Sequence, residues 1–145
     1  MAKGVWSIVG PPDASDAVAV IQYSVVNKDA STIRAGQAVA VHSSGTGVVL
    51  ANATVAGKDA CGIATTDIAP SAAGVVQTEG QLVLSDWTYA VGSATLAARG
   101  VYYLDTIGGK ITTTPPSSVG NIWQKVGVEI DTKTLLIELG PTILL

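Results

Sequence analysis

The chain predicts an all-β protein: a small β-barrel or sandwich built of two meander-like halves, with an extended N-terminal arm. Three observations carry this. The apolar residues come in short alternating runs, which is the period of a half-buried strand. The strand formers Val, Ile, Thr and Tyr recur at intervals of about ten residues, with Gly and Pro between the runs. Helical periodicity is scarce, and only Asp86 through Ala98 could hold one short helical turn, with Asp86 as its cap and Gly92 and Thr95 against it.

Taken in order, residues 1–34 are expected to be an arm or edge strand and residues 35–145 the barrel or sandwich. Gly10-Pro11-Pro12-Asp13 breaks any element at that point, and Ala17–Val26 alternates poorly. Such an arm can cover a neighbouring copy's edge; an ordinary N-terminal strand of the same barrel reads equally well. On the first reading Trp6 anchors a neighbouring subunit, with Val18, Val20 and Tyr23 in the same interface, because large aromatics are enriched at such surfaces.

Val39 and Val41, then Val49, flank Ser43-Ser44-Gly45-Thr46-Gly47, a hairpin loop whose glycines supply positive φ. Ile63 opens a strand after Gly62, and Pro70 ends the region that follows. Val75-Val76-Gln77-Thr78 and Leu82-Val83-Leu84 bracket Glu79-Gly80-Gln81, a turn or a bulge. Trp87 is expected to pack the connection that comes next. Tyr102 and Leu104, the Gly108-Gly109 hairpin and Ile111, the Pro115-Pro116 break, and then Gln124–Val128 read as strand, turn, strand, break and strand.

A faint internal duplication runs through this order. Ala38–Val41, Gly45–Val49 and Gly62–Ala64 parallel Val101–Leu104, Gly108–Thr112 and Gly127–Glu129. Two similar halves facing each other can close a small barrel without long open edges.

At 145 residues the chain fits one domain. Its 48% hydrophobic content sits beside only 13% charged residues, where soluble domains average about 25%. A surface so poor in charge is expected to be partly covered by partners. Eight basic and eleven acidic residues give a formal charge of −3, with the basic ones scattered. Nucleic-acid binding needs a concentrated basic face, so no such contact is expected. The N-terminus has no apolar stretch long enough for a secretion signal. The apolar Leu135–Leu145 run is far short of the ~20 residues of a membrane span, and Glu138 and Pro141 interrupt it. No membrane contact is expected.

Reactive chemistry is thin. His42 is the one histidine, so any Ser–His or Cys–His system must use it, yet no nucleophile elbow accompanies it and a turn imidazole is the better reading. Cys61 is the one cysteine, expected as a small buried apolar residue, and it excludes an internal disulfide or a thiolate zinc site. The glycine loops lack the Lys-Ser/Thr and following helix of a phosphate loop. Glu129 and Asp131 would share one side of a strand, where a solvated face outweighs an acid–base pair. No catalytic residue, cofactor or metal is expected.

From Trp87 onward the order is Asp-Trp, Gly-Ser-Ala-Thr-Leu, Gly-Val-Tyr-Tyr-Leu-Asp, Gly-Gly-Lys-Ile-Thr-Thr-Thr-Pro-Pro, Gln-Lys-Val-Gly-Val, Thr-Leu-Leu-Ile-Glu-Leu and Pro-Thr-Ile-Leu-Leu. This resembles a module of tailed-bacteriophage virion proteins. Upstream, Ala35–Val39 through Gly57–Ala64 is similar to small capsid decoration, or cement, proteins. The resemblance spans about residues 35–145. It implies a β-rich structural protein on the outside of a phage capsid, often trimeric, whose partners are the major capsid protein and its own copies. It carries over no catalytic residue. The other reading that the resemblance allows is a tail-fibre or baseplate module binding a host ligand through exposed loops and Trp87 or Trp123.

Overall fold

A computed structural model describes residues 19–145. The stretch of the expected arm that carries Trp6 and Val18 lies outside the described residues. Among the described residues the regular secondary structure is nearly all β-strand. β1 (Ile21–Val26) is followed by β2 (Ala38–Val41), β3 (Val48–Leu50), β4 (Gly62–Ala64) and the long β5 (Ala73–Val83). One helical turn, α1 (Thr88–Val91), precedes β6 (Val101–Leu104), β7 (Ile111–Thr112), β8 (Ile122–Trp123), β9 (Lys125–Asp131), β10 (Thr134–Glu138) and β11 (Ile143–Leu144).

Nine of the strands form one curled sheet in the order β3-β2-β4-β5-β10-β9-β6-β7, with β1 also paired to β5. The ladders between neighbours are antiparallel. The order reads the same from either end: a hairpin, then a third strand beside its first member, then a fourth strand. The two halves expected from the internal repeat are therefore present, joined where β5 meets β10. Residue for residue, however, the repeat runs one position out of the frame read from sequence. Ala38 and Ala40 face the main core in the first half, and Tyr102 and Leu104 do so in the second. Val39, aligned by sequence with Tyr102, points to the other face of its sheet, into a smaller cluster. A one-residue slip exchanges the faces of a strand, and short glycine-flanked strands align about equally well in either frame.

The two ends of the sheet are joined by isolated backbone hydrogen bonds. The Gly109 N–H donates to Ala51 O at 2.8 Å, Gly109 O accepts from Ala38 N–H at 2.8 Å, and Ala53 N–H donates to Asp105 O at 3.0 Å. The sheet is thus a half-barrel with a stitched seam. Gly109 has φ +77°, and a Cβ there would lie 2.8 Å from Leu50 Cδ2, so the stitch needs glycine for both shape and space.

Glu79-Gly80-Gln81 proves to be a bulged bend inside one strand. Ile21 pairs with Glu79 and Gln22 with Gln77, which leaves Thr78 as the extra residue, and Gly80 at φ +96° absorbs the distortion. β5 serves three partners, β1 along Ala73–Glu79, β4 at Val76-Gln77 and β10 along Glu79–Val83.

The main core collects residues of both halves, among them Ile63, Trp87, Leu104, Val126, Leu135 and Ile137. Trp87 is wholly buried and its indole N–H donates to Lys133 O at 2.9 Å, so the connection packs as expected. Asp86 accepts the Thr88 N–H at 2.9 Å ahead of α1, and Gly92, at φ 80°, closes it. The smaller cluster covers the outer face of the first half, where Ile33 and Ile68 lie over Val39, Val48, Ala64 and Val76. Among the described residues the outer face of the second half carries no such layer.

Candidate functional site

β1 is built unlike the other strands of the large sheet. Among the described residues its one ladder partner is β5, as β2 is for β3 and β6 for β7, and only Val25 packs against a core cluster. Val20 is 55% exposed and Tyr23 57%, with Ile21 and Val26 also open to solvent. Of the four residues singled out from sequence, Tyr23 stands on this exposed strand and Val20 immediately precedes it. Trp6 and Val18 lie outside the described residues. Ile21 and Val26 were missed, since poor alternation over Ala17–Val26 reads as irregular when both faces of a strand are wet.

The direction of the backbone groups of β1 follows from its neighbours. Val75 O accepts from Thr65 N–H at 3.0 Å, so Val75 faces β4. In an antiparallel ladder successive residues face opposite neighbours. Gly74 and Val76 then face β1, and their partners Val25 and Tyr23 make that ladder. Gln22 and Ser24 direct their main-chain N–H and C=O groups away from β5, with no strand beside them among the described residues. β1 holds no charged residue and no proline, the usual devices that blunt an edge.

A second surface lies on the uncovered outer face of the second half. Val101, Val128 and Leu136 stand opposite one another across three strands. Beside them Tyr103 and Trp123 stack at a centroid distance of 5.1 Å and a tilt of 50°. Trp123 pairs with Ile143 of β11, and Leu144 next to it is 64% exposed. The ion pair of Lys125 with Glu138, at 3.3 Å, edges this patch. Of the two tryptophans considered as a ligand platform, Trp123 is accessible and Trp87 is buried.

The groups weighed for catalysis sit apart in structural tasks. His42 Nδ1 lies 2.8 Å from Ser44 Oγ within the β2–β3 hairpin, and the same loop is closed by Gly45 N–H donating to His42 O at 2.8 Å. An open cleft of about 500 Å³ adjoins it, lined by Val41, Val49, Val55 and Lys58. Cys61 is half-buried, and burial first, then the nearby Asp59 charge, pushes its thiol up against the lowering effect of a backbone hydrogen bond, so it stays protonated at neutral pH. The Asp59 carboxylate accepts from the Thr142 hydroxyl at 3.0 Å.

Glu129 and Asp131 do not act as a pair. The register slips between Thr134 and Leu135, so Ile130 is the extra residue that separates them. Glu129 accepts the Arg99 N–H at 2.9 Å, while Asp131 accepts the Lys133 N–H at 2.9 Å. That bond and the Thr134 hydroxyl hold Asp131 below the usual carboxylate range; the Thr88 hydroxyl and N–H do the same for Asp86. Among the described residues no three His, Cys, Asp or Glu side chains are grouped to hold a metal ion, and no helix is long and apolar enough to cross a membrane.

No family model matches the chain, and no curated protein matches it significantly.

Proposed function

We propose that this protein is a non-catalytic structural component of a bacteriophage virion. It docks on the exterior of the capsid as a homo-oligomer, a trimer on the resemblance, and bridges neighbouring major capsid subunits. The observation that carries the reading is β1: a neutral strand with Ile21, Tyr23 and Val26 open to solvent and Val20 exposed just ahead of it, in a chain with only 13% charged residues. Apolar side chains left exposed on both faces of one strand favour a macromolecular partner. Several docked copies linked to one another need only modest affinity each, since effective concentration multiplies the contacts.

Co-sedimentation of the full chain with undecorated phage shells tests this. Wild type is expected to pellet with the shells, and the double variant Val20→Ser, Tyr23→Ser to lose at least about tenfold in affinity, given the aromatic and aliphatic anchors removed. At dilutions where the subunit is monomeric its thermal midpoint should stay within about 2 °C, because both side chains are solvated in the free subunit. Failure of wild type to bind any intact shell overturns the reading.

The Tyr103–Trp123 pair favours a second reading, a tail-fibre or baseplate module that holds a host surface ligand on an aromatic face. Copy number in the particle separates the two: many copies spread over the shell, or few at the tail.

A further inference from the structure

We propose that the outward edge of β1 receives residues 5–9 of a neighbouring copy as an added strand. The inference rests on the homo-oligomer reading given above and names the contact that makes it. Three observations converge. Gln22 and Ser24 aim their backbone groups outward, so a strand laid beside β1 has donors and acceptors to meet. Twenty residues precede β1 in the sequence, and the described chain enters the strand through Ala19 and Val20. Within it Val5-Trp6-Ser7-Ile8-Val9 is a charge-free run of strand formers, set off from β1 by Gly10-Pro11-Pro12-Asp13.

Reach permits the exchange. Residues 10–18 can span up to about 30 Å when extended, and the Pro11-Pro12 pair favours an extended path over a tight reversal. The exposed faces of β1 favour a neighbour over the same chain. A strand returned in cis would pair the edge and leave Val20, Ile21, Tyr23 and Val26 wet on both faces. A neighbouring copy brings its body along with its strand and can cover them.

The test uses full-length chains. An unlabelled chain with the photo-crosslinker benzoyl-phenylalanine in place of Ser24 is mixed with an isotope-labelled wild-type chain, allowed to re-equilibrate, and irradiated. Mass spectrometry of the peptides is expected to join position 24 to a labelled peptide containing Trp6 and Ile8. In parallel, the Gln22 and Ser24 amides are expected to exchange with solvent about 100-fold more slowly than unpaired amides. The full-length variant Trp6→Asp, Ile8→Asp should lose that protection while keeping the protection of Val76. Crosslinks confined to the unlabelled chain, or none to this segment, overturn the proposal while leaving an oligomer seen by sedimentation intact. A solitary molecule in sedimentation overturns the oligomer reading together with it.

Discussion

Gln124 offers the sharpest test of how the two halves are held together. Its amide is buried, with Oε1 accepting the Ala60 N–H at 2.8 Å and Nε2 donating to Ala60 O at 3.0 Å. The loop before β4 is thereby tied to the β8–β9 junction. Gln124→Leu keeps the volume and strands one buried N–H and one buried C=O. Each stranded group costs about 1–3 kcal/mol, or about 4 kcal/mol together at mid-range. Burial of the leucine returns about 2 kcal/mol, so the net loss is about 2 kcal/mol. For a domain of this size that lowers the midpoint by roughly 4–8 °C in calorimetry. Gln124→Glu makes the argument specific. Its carboxylate can still accept the Ala60 N–H, but when charged it confronts the Ala60 carbonyl oxygen; protonated, it restores the donor. Its folded-state pKa is therefore raised, so its stability is full at acid pH and lost as pH rises through that folded value. Urea midpoints of Gln124→Glu relative to wild type should be closer at pH 4 than at pH 8. A Gln124→Leu loss below about 0.5 kcal/mol, or a pH-independent Gln124→Glu deficit, would refute the reasoning.

The seam predicts a contrast between glycines. Gly109→Ala meets both a positive φ and the Leu50 and Gln37 side chains, so it should lose about 1–3 kcal/mol, whereas Gly45→Ala at φ +82° in open space should lose about 1 kcal/mol; equal urea midpoints would count against the seam. Cys61, with its thiol pushed up by burial, should react with Ellman's reagent more slowly than glutathione and on a pH profile displaced upward; reaction as fast as glutathione at pH 7 would contradict its placement. Asp86 and Asp131 have depressed pKa values in the fold, so their contribution is present above the ordinary carboxylate range and lost as pH falls through the folded values. The double variant Asp86→Asn, Asp131→Asn should flatten the acid limb of the stability curve in calorimetry, and an unchanged limb would dispute the local hydrogen bonds.

Period and punctuation were enough to reveal strands, hairpins and two similar halves, though not the order of the strands, because alternation and glycine turns are local properties of the chain. Gly45, Gly108 and Gly109 mark their loops in the sequence, whereas Gly92, read there as weakening a helical turn, is the residue that closes it, and Trp87 rather than Asp86 stands at its N-cap. What local pattern does not encode is which face of a strand looks inward. Val39 and Tyr102 align by eye, yet the Thr78 bulge and the register slip at Tyr102/Tyr103 set them on opposite faces. The stitch at Gly109, the Gln124 clasp and the Tyr103–Trp123 pair likewise join residues distant in sequence. The same holds for the candidate surface. Val20 and Tyr23 could be named as apolar residues near the N-terminus, but their exposure follows from the packing of the described residues, none of which forms a layer over β1. By itself the sequence determined where the backbone extends and turns; the tertiary structure decided which apolar side chains were left over after the core closed, because burial depends on who stands opposite, and that is a long-range choice.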